Sequence, residues 1–509
     1  MSDRIVRNGN LAALATAVLQ PGFVGTVPPA WICRWLGDGL GSVVLFGRNV
    51  VDPGQVAALT AALRAERSDV IVAIDEEAGD VTRIESGRGS SRPGNLALGA
   101  IDDPVLTEEV ARDLGVELAA AGVTLNYAPD VDVNSNPDNP IIGVRSFGAD
   151  PSLVARHATA WVRGLQSAGV AACAKHFPGH GDTRVDSHHD LPRIDADRVR
   201  LHTVELAPFR AAVAAGVQAV MTGHLLVPAL DPDLPATLSG RVLGGLLREE
   251  MGFDGVVVTD AVEMGAVAGR YGLAGAAVRA LAAGADAICV GGEHADEETA
   301  RQLRDAIVDA VVDGELPEER LTEAAKRVGQ LADWTATART CRTYPPGTPG
   351  AAAGGSAVGL VAARRAVRVT TGDAAPSLPL TRPAHVVEFQ PPHHVAIGSE
   401  TPWGVAVPLA ALVPGTTSVR YAENSVPSDP AADAAGRPLV LVVRDLHRHA
   451  WMGDAVDRAL ATRPDAVVVE LGVPARVTGA VHVATHGATR AAGRAAAELL
   501  AGGVVSPGW

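Results

Sequence analysis

One stretch of the chain gathers most of the residue types that do chemistry. Residues 175–192, KHFPGHGDTRVDSHHDLP, place a lysine, four histidines and three aspartates among two glycines and two prolines. The glycines and prolines break a helix and the charged groups are too polar for a core strand, so the pattern predicts a functional loop. Small apolar residues at 170–174 precede it. This indicates that the loop leaves the end of a buried strand, where many α/β proteins place their chemistry.

Two parts of the sequence could together carry nucleophilic and acid/base chemistry. Asp260 follows the apolar run 256–259, and an aspartate fixed at a strand end can act as a nucleophile. Asp186 and His188 lie on the loop, where the carboxylate could orient an imidazole whose unperturbed pKa is about 6.5. One rigid nucleophile with one mobile acid/base favours displacement at a saturated carbon. The structural alternative is that Asp260 caps a helix that begins at the next residue.

Metal, calcium and nucleotide sites are not supported by the spacing of the residues. His176 and His180 could be metal ligands on one helical face, but Pro178 and Gly179 break a helix between them. The run 132–143 resembles a calcium loop only superficially, because it has proline and glycine where the loop needs glycine and glutamate. No phosphate-binding GxxxxGK[ST] or dinucleotide-binding GxGxxG motif occurs after a strand. We therefore predict no metal and no cofactor.

Composition narrows the class of partner. The 509 residues carry a net charge of −15 and contain no basic run or aromatic-interleaved basic stripe, which argues against nucleic-acid and membrane partners. Neither an export signal nor a run of about 20 apolar residues is present, and the cysteines form no CxxC pair. We predict a soluble cytoplasmic protein that acts on small molecules. The scattered cysteines are Cys33, Cys173, Cys289 and Cys341.

The predicted strands and helices that must position these groups alternate regularly along the sequence. Short apolar runs recur eight times, and amphipathic helix-length stretches separate them, which is typical of a parallel (β/α)₈ barrel. A doubly wound open sheet is the competing fold, but nearly every predicted strand ends in polar residues, whereas such a sheet binds its ligand at one switch point. The runs are 18–24, 42–46, 70–75, 124–129, 170–177, 219–224, 255–260 and 286–292.

The chain after the barrel has a different organisation. Residues 340–358 are rich in proline, glycine and alanine and are predicted to be a linker. It follows a barrel domain at 1–339 and precedes a smaller α/β domain at 359–509. In that domain we expect strands at 360–369, 384–389, 439–443 and 465–470 and helices at 454–463 and 489–501.

The motifs resemble those of a known family. KHFPGHGD followed by DSH, together with IDEEAG, NYAPDVDVN, RSFG and VVVTDAVEM, resembles the bacterial β-N-acetylglucosaminidases of glycoside hydrolase family 3, in the same order along the chain. The resemblance covers about residues 18–331. It implies a retaining mechanism in which Asp260 is the nucleophile and forms a covalent glycosyl-enzyme. His188, oriented by Asp186, would be the general acid/base, where most retaining glycosidases use a second carboxyl group.

The resemblance also implies which residues bind the sugar. Asp75 and Arg83 correspond to residues that grip sugar hydroxyls, and Arg145, Lys175 and His176 to residues around the N-acetylglucosamine ring. Met264 matches a methionine beside the nucleophile. Where the family usually shows IDQEGGRVQR, this chain has four departures, which leave the preference for the aglycone open. They are Glu76, Ala78, Asp80 and Thr82, in place of Gln, Gly, Arg and Gln.

These inferences lead to one principal hypothesis and three alternatives. The principal hypothesis is an exo-acting hydrolase that removes β-linked N-acetylglucosamine from muropeptide or chitin-derived fragments. A phosphorylase is the first alternative, because a neutral histidine acid/base would admit phosphate without like-charge repulsion. A sugar-binding protein without catalysis and a metal hydrolase are the other two. The oligomeric state and the role of the second domain are left open.

Overall fold

The chain forms two compact units. The computed structural model describes residues 2–184, 191–340, 355–372, 378–392, 394, 396–398 and 401–503. The barrel unit comprises Met1–Glu76, Thr107–Pro140 and Ala149–Gly350, and the C-terminal unit comprises Glu77–Leu106, Ile141–Gly148 and Ala351–Trp509. The domain bounds at 339 and 359 stay a prediction, and the linker falls mostly on residues 341–354, outside the described residues.

Among the described residues of the barrel unit there are eight short, fully buried strands, one in each of the eight apolar runs. Strands buried on both faces read as continuous apolar sequence, which is why the runs predicted them. The strands are β1 (Leu19–Pro21), β2 (Ser42–Leu45), β3 (Ile71–Ile74), β4 (Leu125–Asn126), β5 (Ala171–Phe177), β6 (Ala219–Thr222), β7 (Val256–Thr259) and β8 (Ile288–Val290).

Pairing curls these strands into a barrel. Strands β2 to β7 pair in parallel in chain order, and β1 pairs in parallel with β8. A parallel bridge joins Val258 of β7 to Ala287, directly before β8, and the Ser42 hydroxyl of β2 donates to the Leu19 carbonyl of β1 at 3.2 Å. One face of the strands fills the interior with small and branched side chains. The predicted α/β class with a (β/α)₈ barrel is therefore confirmed.

Helices connect the barrel strands and begin where the sequence provides caps. The Asp52, Asp150 and Asp296 side chains each accept a hydrogen bond from the first turn of a helix. The α-helices are Ser2–Ala17, Ala30–Gly37, Pro53–Glu66, Pro104–Ala120, Pro151–Ser167, Arg198–Thr203, Ala207–Ala214, Gly265–Tyr271, Leu273–Ala283, Glu297–Val312 and Glu318–Thr340, with a π-helix at Arg241–Glu250 and 3₁₀ turns at Gly47–Asn49 and Ala236–Leu238.

The C-terminal unit is an α/β fold around a six-stranded sheet. The strand order is β11-β10-β12-β13-β14-β9, and every pair is parallel except β14 with β9. The strands are β9 (Arg368–Thr371), β10 (His385–Phe389), β11 (Thr417–Tyr421), β12 (Leu439–Val443), β13 (Val467–Glu470) and β14 (Val481–Ala484). Its α-helices are Asn95–Ile101, Ala357–Ala366, Ala406–Leu412, Ala450–Thr462 and Arg490–Ala501, and its 3₁₀ turns are Gly143–Arg145, Glu423–Ser425, Ala432–Ala434 and Leu446–Arg448.

One predicted strand of this unit is wrong. The sequence 360–369 was expected to be a strand, but Ala357–Ala366 is a helix and only β9 follows it. The Ser356 side chain accepts a hydrogen bond from the Gly359 amide at 2.9 Å and starts the helix, which then continues through alanine and arginine, both strong helix formers. The other three expected strands and both expected helices are present.

In the part of the chain that the structure describes, no helix combines the length and the apolar character needed to cross a bilayer.

Candidate active site

Several predicted site residues lie at the carboxyl ends of the barrel strands. Asp75 directly follows β3, Lys175 and His176 lie near the end of β5, and Asp260 directly follows β7. These strands run parallel within one curled sheet, so their carboxyl ends share one face of the barrel unit. Catalytic residues of (β/α)₈ enzymes come from this face.

Asp75 and Lys175 form an ion pair across the barrel face. The Lys175 ammonium group contacts the Asp75 carboxylate, and the Lys175 side chain is 2% exposed whereas that of Asp75 is 25% exposed. The pair therefore presents a fixed carboxylate acceptor at a partly open position. Hydrogen bonds from ligand hydroxyl groups to such an acceptor are the stronger kind.

His176 is oriented by a buried carboxylate, Asp132. Its Nδ1 lies 2.7 Å from Asp132 Oδ2, and its backbone amide also donates to Asp132, as does the amide of His180 at 2.7 Å. Burial pushes the pKa of Asp132 upward, but the contacts with His176 and His180 outweigh it and hold the pKa below its usual value. Asp132 is therefore an ionised anchor for His176.

One group of described residues could in principle hold a metal ion. The potential ligand atoms of Asp130, Asp132 and His176 all lie within 4.8 Å of one another. The Asp130 Oδ1 atom, however, accepts the Asp132 amide at 2.9 Å, and Asp132 binds the imidazole directly. Asp130 therefore holds the backbone at Asp132, and the Asp132 carboxylate in turn fixes the His176 ring.

Asp260 is half-buried and does not cap a helix. Its backbone amide donates to the Thr222 carbonyl at 3.1 Å, and its Oδ1 accepts from the Ala261 amide at 2.8 Å. The next helix begins only at Gly265, with Met264 as its N-cap residue, so the capping alternative is wrong. Met264 is 6% exposed and its amide binds the Ala261 carbonyl, which places it on the same turn as Asp260.

The charges of Asp75 and Asp260 both raise the pKa values of two buried thiols, those of Cys173 and Cys289. Burial and then the charges of Asp75 and Asp260 raise the pKa of Cys173, a residue of the barrel interior, while Lys175 opposes them. Burial, Glu263, Asp260 and Asp75 likewise raise the pKa of Cys289. Both carboxylates therefore lie within electrostatic reach of one small region at the end of the barrel interior.

Two predicted sugar-binding residues belong to the C-terminal unit and are held by contacts within it. Arg145 forms a paired ion bridge with Glu77, with Nη2 to Oε1 at 2.8 Å and Nε to Oε2 at 3.0 Å. Arg83 donates to the Ala396 carbonyl at 3.0 Å. Arg145 is 7% exposed, so its guanidinium is firmly placed within this unit.

The predicted acid/base pair lies outside the described residues. Asp186 and His188 both fall in the segment 185–190, so their roles stay a prediction. The described residues before this segment include His180, whose Nδ1 lies 2.7 Å from the Thr183 hydroxyl.

The departures in the IDEEAGDVTR motif are accommodated locally. Ala78 adopts a positive φ of 66°, a conformation that the glycine of the family motif takes without strain. Asp80 is buried in the C-terminal unit, where it accepts from Arg444 at 2.7 Å and from the Ala488 amide at 2.8 Å. Burial raises the pKa of Asp80, and Arg444 opposes this shift.

Three residues of the site were missed by reasoning from the sequence. Asp132 lies in the motif NYAPDVDVN, Glu263 in VVVTDAVEM, and His224 at the end of the apolar run 219–224, and the sequence alone assigns a role to none of them. His224 binds the Ala261 carbonyl beside Asp260, and the Glu263 carboxylate binds the amides of the loop after β8. A signal was present, because each is a polar residue in the segment that follows a barrel strand.

Comparison with known proteins identifies the family. Residues 34–331 match the N-terminal domain of glycosyl hydrolase family 3. The chain belongs to this family. The membership of glycoside hydrolase family 3 that the motifs predict is therefore confirmed.

Individual family 3 relatives are similar over different lengths. β-Hexosaminidase A of Pseudoalteromonas piscicida is 36% identical over 316 residues, 57% of this chain and 53% of that protein, so the chain spans about half of this relative. β-Hexosaminidase of Alkalilimnicola ehrlichii is 39% identical over 255 residues, 49% of this chain and 73% of that protein. A solved family 3 β-N-acetylglucosaminidase from Paenibacillus sp. str. FPU-7 superposes with a TM-score of 0.84 at 35% identity, covering 97% of each chain.

Proposed function

We propose that this chain is a retaining, exo-acting β-N-acetylglucosaminidase that releases terminal β-linked N-acetylglucosamine. The observation that carries the proposal is the half-buried carboxylate of Asp260 at the end of β7, on the barrel face that also holds the Asp75–Lys175 ion pair. The similarity to β-hexosaminidases and to a solved β-N-acetylglucosaminidase supports the choice of sugar.

In the proposed mechanism Asp260 attacks the anomeric carbon and forms a glycosyl-aspartate. His188, oriented by Asp186, protonates the leaving oxygen and then removes a proton from the water that releases the sugar. Both steps invert the anomeric carbon, so the overall outcome is retention.

Substrate binding is assigned to six residues. Asp75 accepts hydrogen bonds from sugar hydroxyl groups, and Lys175 holds it in place. Asp132 holds His176 in place. The proposed set of sugar contacts is completed by His176 together with Arg83, Arg145 and Met264.

Two variants test the proposal. Asp260→Ala and His188→Ala should each lower turnover of an aryl β-N-acetylglucosaminide by at least about 1,000-fold, since each removes a group that acts on the reacting bond. Far-UV circular dichroism checks that both variants fold. Wild-type turnover in either folded variant would overturn the proposal.

The finer assignments have separate tests. Incubation with GlcNAc–anhydroMurNAc and with chitobiose, each with and without phosphate, identifies the preferred aglycone and the acceptor. We propose hydrolysis, in which free N-acetylglucosamine forms at the same rate in both buffers; formation of the sugar 1-phosphate would support phosphorolysis instead. The proposed cytoplasmic location is tested by cell fractionation.

A further inference from the structure

His224 is a fully buried histidine beside Asp260 that has no assigned role. It lies two residues after β6, in the motif MTGH, and is 0% exposed. β6 is the parallel neighbour of β7, whose end carries Asp260. A buried imidazole at this place in a barrel is expected to have a partner that depends on it.

Both ring nitrogens of His224 are in hydrogen-bond contact. Nε2 lies 3.0 Å from the Ala261 carbonyl oxygen, and Nδ1 lies 2.9 Å from the Thr237 hydroxyl. A carbonyl oxygen can only accept, so Nε2 carries a proton and donates it. Thr237 is itself fixed in place, because its hydroxyl oxygen also lies 2.8 Å from the Thr222 hydroxyl and 3.0 Å from the Gly223 carbonyl oxygen.

The contact with Ala261 completes the support of the Asp260 backbone. The Asp260 amide donates to the Thr222 carbonyl at 3.1 Å, which holds the peptide before the carboxylate. His224 holds the carbonyl of the next residue, and the Ala261 amide donates to Asp260 Oδ1 at 2.8 Å. The N–H group that orients Asp260 and the carbonyl that His224 binds lie on either side of the Ala261 Cα, and the Met264 amide also binds that carbonyl at 3.1 Å. His224 therefore acts on Asp260 through the backbone of Ala261, which it fixes together with the turn.

We propose that His224 is a positioning residue for Asp260: its Nε2–H group, oriented through Thr237, fixes the backbone of Ala261 and thereby aims the Asp260 carboxylate at the anomeric carbon. The inference rests on the proposed role of Asp260 as the nucleophile. A small misplacement of a reacting group costs about 100-fold in rate. The loss should appear in kcat, because ground-state sugar contacts are made by other residues.

Three substitutions separate the donor from the ring. His224→Asn removes the donor that reaches Ala261 and should lower kcat about 10- to 100-fold with KM changed less than about threefold. His224→Gln carries an amide N–H close to the position of Nε2 and should restore most of kcat. Thr237→Val removes the partner of Nδ1 and should give an intermediate kcat, and it serves as the test if His224→Asn does not fold.

The leaving group distinguishes positioning of the nucleophile from loss of acid catalysis. Aryl β-N-acetylglucosaminides with a good and with a poor leaving group are compared. A misplaced Asp260 slows both, so the ratio of the two kcat/KM values should stay unchanged in His224→Asn. A loss of acid catalysis would slow the poor leaving group selectively.

A second buried histidine in the same unit offers a matched control. His157, in the helix Pro151–Ser167, is also 0% exposed, and its Nδ1 lies 2.8 Å from the Thr107 hydroxyl. His157→Asn should lower the free energy of unfolding by an amount similar to His224→Asn while leaving kcat unchanged. A general loss of stability would move both variants alike.

The outcomes are decisive in either direction. Wild-type kcat in folded His224→Asn, or in folded Thr237→Val if the first variant is unfolded, would overturn the proposal. Equal losses of kcat in the His224 and His157 variants would also overturn it. Failure of the proposed function is a separate result, in which Asp260→Ala itself retains turnover.

Discussion

Ala78 adopts a backbone conformation that costs free energy in the folded protein. Its φ of 66° lies in the left-handed region, and its carbonyl accepts a hydrogen bond from the Ser90 hydroxyl, which holds the peptide in place. An L-residue with a Cβ pays about 1–2 kcal/mol there, and glycine does not. This is the position at which the family motif has glycine.

We expect Ala78→Gly to raise the free energy of unfolding by about 0.5–1 kcal/mol, because relief of strain exceeds the added entropy of the unfolded chain. Urea unfolding of the two proteins measures the change. Ala97→Gly, in the middle of the helix Asn95–Ile101, is the control and should lower stability by about 1 kcal/mol. A loss of stability in Ala78→Gly would contradict the assignment.

We expect the Asp75–Lys175 ion pair to be required for full activity. Lys175 is almost fully buried, so Lys175→Met removes the charge that holds Asp75 and should lower kcat/KM by about 100-fold, or about 2.7 kcal/mol. Asp75→Asn should do the same. Because the residues act as one unit, the double variant should be about as active as either single variant. Full additivity of the two losses in a steady-state assay would show independent roles.

At the scale of elements, Glu263 connects the turn after β7 to the loop after β8. Its Oε1 atom accepts from the Gly291 amide at 2.9 Å, the Gly292 amide at 2.5 Å and the Glu293 amide at 3.3 Å. Arg48 binds the same loop from its other side, through the Gly292 carbonyl at 2.6 Å. The Glu263 carboxylate thus joins the turn that carries Asp260 to the loop after β8.

Glu263→Gln should lower the free energy of unfolding by about 1–3 kcal/mol, since one charged acceptor serves three backbone donors. Glu298→Gln is the control: Glu298 is fully exposed in its ion pair with Arg301, and we expect no measurable change. Denaturant midpoints of both variants make the comparison. An unchanged midpoint for Glu263→Gln would show that the loop is held without it.

The barrel could be predicted because its strands are buried on both faces. Runs such as 256–259 are continuously apolar and end in a polar residue, so burial and position both appear in the sequence. The C-terminal unit was harder. β11 gives no clear signal in the sequence because it is an exposed edge strand, and the run 360–369 predicts a strand although an alanine-rich apolar run suits a helix equally well.

The site was predictable only where one residue carries the chemistry. Asp260 is visible as a polar residue after an apolar strand. His224 and Asp132 act on residues 37 and 44 positions away, so their hydrogen bonds depend on the barrel closing in one register. A single sequence holds no direct signal for such pairs, which is why their roles required the structure.

At the scale of the whole molecule, titratable groups buried in the C-terminal unit link its stability to pH. Burial lowers the pKa of His394 and of His486 from 6.5 to about 4, with nearby arginines adding to the effect. Burial and then Asp445 raise the pKa of Glu470 from 4.5 to about 8, although three backbone amides partly oppose this. The folded unit therefore keeps both imidazoles neutral and holds a proton on Glu470 near neutral pH.

The net effect of these pKa shifts on the free energy of unfolding changes sign near pH 6.5. Between about pH 4.5 and 6.5 the unfolded chain binds protons on histidines that the folded chain leaves neutral, His394 and His486 among them, and the folded chain holds one proton on Glu470, so stability rises with pH. Between 6.5 and 8 only the folded carboxyl still holds its proton, so stability falls. Each net proton contributes a slope of up to about 1.4 kcal/mol per pH unit.

We therefore expect the stability of the C-terminal unit to peak near pH 6.5. Hydrogen exchange of the β13 amides, read as an opening free energy from pH 5 to 8.5, measures it within this unit. Glu470→Gln keeps a buried neutral side chain and removes the titration, so the fall above pH 6.5 should flatten while the rise below it remains. A wild-type opening free energy that stays constant from pH 6.5 to 8 would mean that Glu470 is ionised in the folded protein, held by the amides of Asp445, Leu446 and Gly472.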